Sequence, residues 1–239
     1  MPTFADHVIA FNQSLHFNAS LPPGISVMNP FKTNKDSLLV SSAFYKKYYS
    51  DNNVRHIILG INPGRFGAGL TGVPFTDPKR LVEKCGIRYP GTTAHEPSSV
   101  FIYSMIDAFG GVEKFYRSFY INSICPLGFT ITNNAGKDVN YNFYDHKDLY
   151  KAAEPFMIGS IKKQIAFGIH TEMCFCLGSG KNEKILKRLN EQHGFFKKII
   201  PLEHPRFIMQ YKSKQMQEYI SKYLDAFSLA TNGNYNAAL

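Results

Sequence analysis

No stretch of this chain approaches the roughly 18 consecutive apolar residues of a membrane span, so no membrane association is expected. The first residues, Met1-Pro-Thr-Phe-Ala-Asp-His7, lack the basic start and apolar core of a secretory signal. The expected location is therefore intracellular: cytoplasmic in a bacterium, nuclear in a eukaryote. Cysteine is scarce, with four residues at 85, 125, 174 and 176, no Cys-x-x-Cys pair and no His/Cys spacing suited to zinc. Reduced core thiols, and no metal, are the reading. Cys174 and Cys176 fall in a helix-like segment, where residues two apart point away from each other. Repeats and low-complexity tracts are absent, apart from a polar tail, Thr231-Asn-Gly-Asn-Tyr-Asn236, expected to fray. Acidic residues are few, 18 against 27 Lys and Arg, for a formal charge of +9. That balance suits a polyanionic partner. The basic residues cluster at Lys162-Lys163, Lys181 to Arg188, Lys197-Lys198 and Arg206 to Lys214.

At 239 residues the length suits one α/β domain with a single core. The domain is expected over residues 1–228, with a polar tail at 229–239. Helices are read at Ala5 to His16, about Lys35 to Tyr49, from Asp77-Pro78, at Pro97 to Phe109, about Asp145 to Ser160, and Ser213 to Phe227. Strands are read at Arg55 to Ile61, Phe119 to Ile124, Gln164 to Gly168 and Phe196 to Pro201, with a loop at Asn133 to Asn142. Strands alternating with helices predict a three-layer domain: a central, mainly parallel four-stranded sheet flanked by helices.

The first strand runs into His56-Ile-Ile-Leu-Gly-Ile-Asn62-Pro-Gly-Arg-Phe-Gly-Ala-Gly-Leu-Thr-Gly-Val-Pro-Phe75, a loop too rich in glycine and proline for helix or sheet. Open α/β sheets place ligand sites just beyond such strand ends. Asn62 opens the loop and Phe75 closes it, and the glycines at 64, 67, 69 and 72 let backbone approach a ligand closely. The pattern describes a pocket for something flat and polar-edged.

Asn62-Pro-Gly-x-Phe-Gly with Thr71-Gly-Val-Pro-Phe75 resembles the first motif of the single-strand-selective monofunctional uracil-DNA glycosylases. Asn122-Ser-Ile-Cys-Pro-Leu127 is similar to that family's base-reading strand, and His204-Pro205 to the second motif of the wider uracil-DNA glycosylase superfamily. The resemblance spans roughly Met28 to Phe227 and implies the uracil-DNA glycosylase-like fold. It implies a monofunctional enzyme hydrolysing the N-glycosidic bond of uracil, and of other deaminated bases such as xanthine, in DNA. No organic cofactor is implied, and a monomer is expected.

Base release passes through an oxocarbenium-like sugar while negative charge grows on the departing base. The attacking water then needs placement, which the Asn62 carbonyl oxygen can supply although an amide takes no proton. His204 would donate a hydrogen bond to the base carbonyl, a role a neutral imidazole fills. By resemblance Phe75 stacks on the flipped base and Ile61 and Gly64 flank it. Aligned on Cys-Pro-Leu, Ser123 stands where the family usually has an asparagine, and a one-residue bulge restores Asn122. Adjacent strand residues face opposite sides, so only one enters the pocket unless the strand bulges. Asn122 is the preferred base reader, because an amide reads an imide edge in a bidentate way and a hydroxyl does not, with Ser123 the alternate. Past His204 the run Pro205-Arg-Phe-Ile-Met-Gln-Tyr-Lys212 lacks the serine usual in the family. Arg206, Phe207, Ile208, Gln210 and Lys212 are the candidate DNA contacts, an apolar wedge between phosphate anchors. The competing reading of Phe207 and Ile208 is as core residues leading into the last helix. The rival for the whole chain is a non-catalytic nucleic-acid or nucleotide-binding α/β module with the glycine loop as a phosphate cradle. Such a loop normally ends in Lys-Ser/Thr or opens directly into a helix, and this one does neither.

Overall fold

In the computed structural model, which describes residues 1–231, the chain begins with helix α1 (Phe4–Ser14). A reciprocal cap starts it: Thr3 Oγ1 accepts the Asp6 N–H, and the Asp6 carboxylate accepts the Thr3 N–H. Strand β1 (Ile25–Met28) follows, then α2 (Pro30–Thr33), α3 (Lys35–Tyr48) and the fully buried β2 (Arg55–Gly60). Beyond β2 lie α4 (Ala68–Thr71), α5 (Pro78–Glu83), α6 (Pro97–Phe109), α7 (Val112–Ser118) and β3 (Phe119–Ser123). The remainder is β4 (Gly128–Thr132), β5 (Asp138–Tyr141), α8 (Lys147–Ile165), β6 (Ile169–Leu177), α9 (Lys181–His193), β7 (Lys198–Leu202), α10 (Pro205–Tyr211) and α11 (Met216–Thr231).

The central sheet has the order β3-β2-β6-β7 with every neighbouring pair parallel. Alternation along β3 shows how both faces are covered. Phe119 packs against Phe109 of α6, Phe115 of α7 and Phe227 of α11, whereas Tyr120 packs against Phe4 of α1 and Tyr45 of α3. Successive side chains thus enter two different helix layers, which gives the expected three-layer fold.

Three expectations change. The strand read at Gln164 to Gly168 is instead the last two residues of α8 and the turn that follows, and the buried stripe of α8, Leu149, Ala153, Met157, Ile161 and Gln164, keeps helical spacing. Gly168, at φ +104°, ends that segment, and the strand is Ile169–Leu177. Cys174 and Cys176 consequently sit on a strand and share one buried face as free thiols, instead of pointing apart on a helix. Second, the stretch Asn133 to Asn142 is not all loop. It forms the tip and second strand of a β4–β5 hairpin, which with β1 makes an antiparallel three-stranded sheet. Third, α11 continues through Thr231, so Leu229 and Ala230, expected in the tail, are helical and pack on the core. The rest of that tail, 232–239, lies outside the described residues.

Candidate active site

Parallel register brings the expected residues to one rim. Gly60 of β2 lies beside Ser123 of β3, and Leu177 of β6 beside Leu202 of β7, so Asn62, Ser123 and His204 all stand at the carboxyl end of the sheet. They line one cavity of 340 Å³ with Ile61, Gly64, Phe75, Glu96, Ser98, Asn140, Tyr144, Arg206 and Phe207. That volume lies within the usual range for small-ligand sites.

The Asn62 amide is fixed at both ends by backbone. Its Nδ2 donates to the Tyr141 carbonyl and its Oδ1 accepts the Phe143 N–H, each at 3.2 Å. The β5 hairpin, unforeseen from sequence, therefore aims this side chain. Oδ1 keeps a second lone pair free to accept from a water.

Phe75 is the one non-glycine residue with positive φ, +53°, among those described. Such a conformation persists only when its surroundings hold it. Here Thr71 holds the turn, its hydroxyl donating to the Thr76 carbonyl at 2.6 Å and accepting the Val73 N–H at 3.1 Å. A Cβ on Gly60 would stand 3.1 Å from the Phe75 ring, so the glycine lets the ring lie close over the end of β2. The ring centroid is 5.7 Å from that of His204. The loop is also less irregular than its composition suggests: Ala68–Thr71 makes one helical turn, closed by left-handed Gly72.

His204 caps α10. Its Nδ1 accepts the Arg206 N–H at 3.1 Å, which leaves the proton on Nε2 as a donor. Burial, with Arg206 as a second cause, pushes its pKa down to about 4, so the imidazole is neutral at physiological pH.

Ser123, and not Asn122, borders the cavity. β3 pairs with β2 without a bulge, so the two residues face opposite sides. Asn122 turns into the body of the protein, where its Nδ2 donates to the Tyr120 hydroxyl and its Oδ1 accepts the Ser123 N–H. Asn122, the expected base reader, therefore does not line this cavity, and Ser123, the alternate, does.

The wedge candidates divide. Ile208 is 0% exposed and belongs to the core, so it cannot enter a duplex while α10 is folded. Phe207 is 41% exposed, and its ring meets that of Tyr211, 66% exposed and one helical turn on, at 5.6 Å. Arg206 and Gln210 border the cavity, whereas Lys212, at the end of α10, does not. Sequence reasoning missed Tyr211, Asn140, Tyr144 and Glu96. The i, i+4 spacing of Phe207 and Tyr211 was the one readable signal among them.

Glu96 has its N–H donated to Asp77 Oδ2 at 2.8 Å, and its carboxyl faces the glycine loop. Burial first, and the neighbouring Asp77 second, raise its pKa to about 7, against an opposing pull from Arg206. A second cavity of 260 Å³ adjoins the first through Ile61, Tyr144, His204 and Phe207. It extends to Gly178, Ser179, Gly180 and Lys181 at the start of α9.

A sequence profile of the uracil DNA glycosylase superfamily matches residues 46–228. The chain belongs to that superfamily. It is a DNA glycosylase, and its substrate is DNA. Among solved structures, the wild-type crystal structure of Pedobacter heparinus SMUG2 is 59% identical, with a TM-score of 0.95 over 97% of this chain and 100% of that one. A search of curated protein sequences gave no match. The fold and the mainly parallel sheet read from the sequence agree with this kinship. No helix among the described residues is long and apolar enough to cross a membrane.

Proposed function

We propose that this glycosylase flips uracil out of DNA into the 340 Å³ cavity and hydrolyses its glycosidic bond with water alone. The observation that carries the reading is the convergence of a fixed Asn62 amide, the Phe75 ring held by a positive-φ backbone and the Nε2–H of a neutral His204. Phe75 stacks on the base, and Asn62 Oδ1 holds the attacking water. His204 donates to the carbonyl where negative charge grows. Ser123, which borders the cavity, reads the imide edge. Phosphates on either side of the flipped nucleotide meet Arg206 and the start of α9, where backbone N–H groups and Lys181 favour an anion. All of these residues come from one chain, so a monomer suffices. Four free, buried thiols suit a reducing, intracellular compartment.

The same cavity suits xanthine, released more slowly than uracil or comparably to it. Xanthine carries the same imide and leaves as a stabilised anion, and a serine at 123 leaves more room than a larger amide would. Hypoxanthine lacks one carbonyl and leaves part of the recognition surface unpaired. Oligonucleotides carrying uracil, xanthine or hypoxanthine, each treated with and without alkali, test this. Expected are intact abasic strands, nicked only after alkali, in the order uracil, xanthine, then hypoxanthine, with no adduct trapped by borohydride. Uracil release without any xanthine release would overturn the wide-pocket reading. A robust borohydride adduct would overturn the water-only chemistry.

A further inference from the structure

Glu96 lies in the same cavity as Asn62 and His204, and none of the roles above uses it. Its carboxyl is fitted to the glycine loop. A Cβ on Gly67 would stand 2.1 Å from Glu96 Oε2, and one on Gly64 would stand 3.3 Å from Glu96 Oε1. Glycine at 67 is thus the space that the carboxyl occupies. Asn140 Nδ2 is likewise 3.3 Å from that point, so Glu96 and Asn140 both close on Gly64, and Asn140 precedes Tyr141, whose carbonyl accepts from the Asn62 amide. Glu96 Oε2 is closed to solvent and has no hydrogen-bond partner among the described residues. A buried acid oxygen left unsatisfied is costly to the fold and calls for an explanation.

The chemistry of the site has an unfilled place. As the water oxygen bonds to C1′, the C1′–N bond breaks and its electron pair leaves with the base. The sugar product is neutral only if one water proton departs. The Asn62 amide cannot take it. His204 cannot either, because Nε2 carries a proton and Nδ1 accepts the Arg206 N–H.

Building on that assignment of Asn62 and His204, we propose that Glu96 is the proton acceptor for the water that Asn62 holds. The carboxylate becomes a carboxylic acid as the C1′–O bond forms, and it returns the proton to solvent or to the departed base anion.

A base working at neutral pH is most effective with a pKa near 7, and burial places Glu96 there. The charged groups around it are Asp77 at the start of α5, Arg80 and His95 that contact Asp77, and Arg206 of α10. His204 stays neutral down to about pH 4, so its titration falls well below that of Glu96. The carboxylate is the active form. The rate should be at its plateau above about pH 7 and fall tenfold per unit below it.

Single-turnover release of uracil from an oligonucleotide, measured from pH 5 to 9 for the wild type and for Glu96→Gln, Glu96→Asp and His95→Gln, tests the assignment. The wild type and His95→Gln should share the break near 7. Glu96→Gln should be slower by about 10²-fold or more and flat with pH, while still binding abasic DNA. Glu96→Asp, a shorter carboxylate, should keep the break with a lower plateau. Glu96→Gln with the wild-type rate and profile overturns the proposal, as does a break that disappears in His95→Gln alone. If Glu96→Gln is unstable, Glu96→Asp decides: loss of its break overturns the proposal. Normal release by Glu96→Gln alongside inactive Asn62→Ala sinks only this role. Normal release by Asn62→Ala itself sinks the underlying assignment.

Discussion

Asn62 and His204 reach their tasks by different routes, and their variants should differ accordingly. The Asn62 amide satisfies the backbone carbonyl of Tyr141, at the end of β5, and the backbone N–H of Phe143 just beyond it. Removing it leaves both without their partner, a cost of about 1–3 kcal/mol each where the site is dry. His204 uses its Nδ1 on the turn of α10 and keeps Nε2 for substrate. Asn62→Ala should therefore slow base release by orders of magnitude and also lower the thermal midpoint. His204→Ala should slow release by about 10²–10³-fold, the usual loss for one donor to a developing anion, with a smaller effect on stability. Both should still bind abasic DNA, because the assigned roles act on the transition state. Base release by both variants at near wild-type rate would make the loop structural.

Helix α10 does two jobs with opposite faces. Ile208 anchors it in the core, and Phe207 and Tyr211 present a paired aromatic ridge at the cavity mouth. Shortening Phe207 and Tyr211 together to alanine should slow release from duplex DNA more than from single strands, since only a duplex has a vacancy to hold open. Ile208→Ala should instead cost about 2–5 kcal/mol of stability and affect both substrates alike. Equal losses for the aromatic pair on both substrates would remove the wedge role. How much of this was legible follows from which contacts are local. Ser123 ends a strand and Asn62 and His204 each follow one, so the strand pattern alone sends them to one rim. Whether Asn122 or Ser123 faces the cavity is a question of parity, open until the regular β2–β3 register is seen. The tip and second strand of the β4–β5 hairpin read as loop because Asn, Gly and Asp dominate 133–142, and the tip is closed by Asn133, which accepts the Ala135 and Lys137 N–H groups. Glu96 was illegible because everything that defines it is distant in sequence: Asp77, Gly64, Gly67 and Arg206.

The net charge of +9 is distributed less simply than its clusters suggest. Lys187 is paired with Glu183 at 2.7 Å, Arg188 with Glu154 at 3.0 Å and Lys197 with Glu172 at 2.8 Å. These pairs take much of the α9 and β7 basic run out of play. Lys181, Arg206 and Lys212 make no ion pair among the described residues. Lys181 and Arg206 border the two joined cavities, and Lys212 ends the helix that carries the aromatic ridge. Affinity for DNA should then come from a few unpaired cations at the mouth more than from total charge. Three phosphate contacts would give a slope of about −2.7 for log affinity against log salt on duplex DNA. Lys181→Ala should weaken abasic-duplex binding evenly across sequences and make that slope shallower by about 0.9. Lys187→Ala removes the same formal charge but breaks only a pair that is already neutralised, and should leave the slope unchanged. Titrations from low to physiological salt compare the two directly. Equal changes for both variants would mean that diffuse charge, and not the residues at the mouth, draws the protein to DNA.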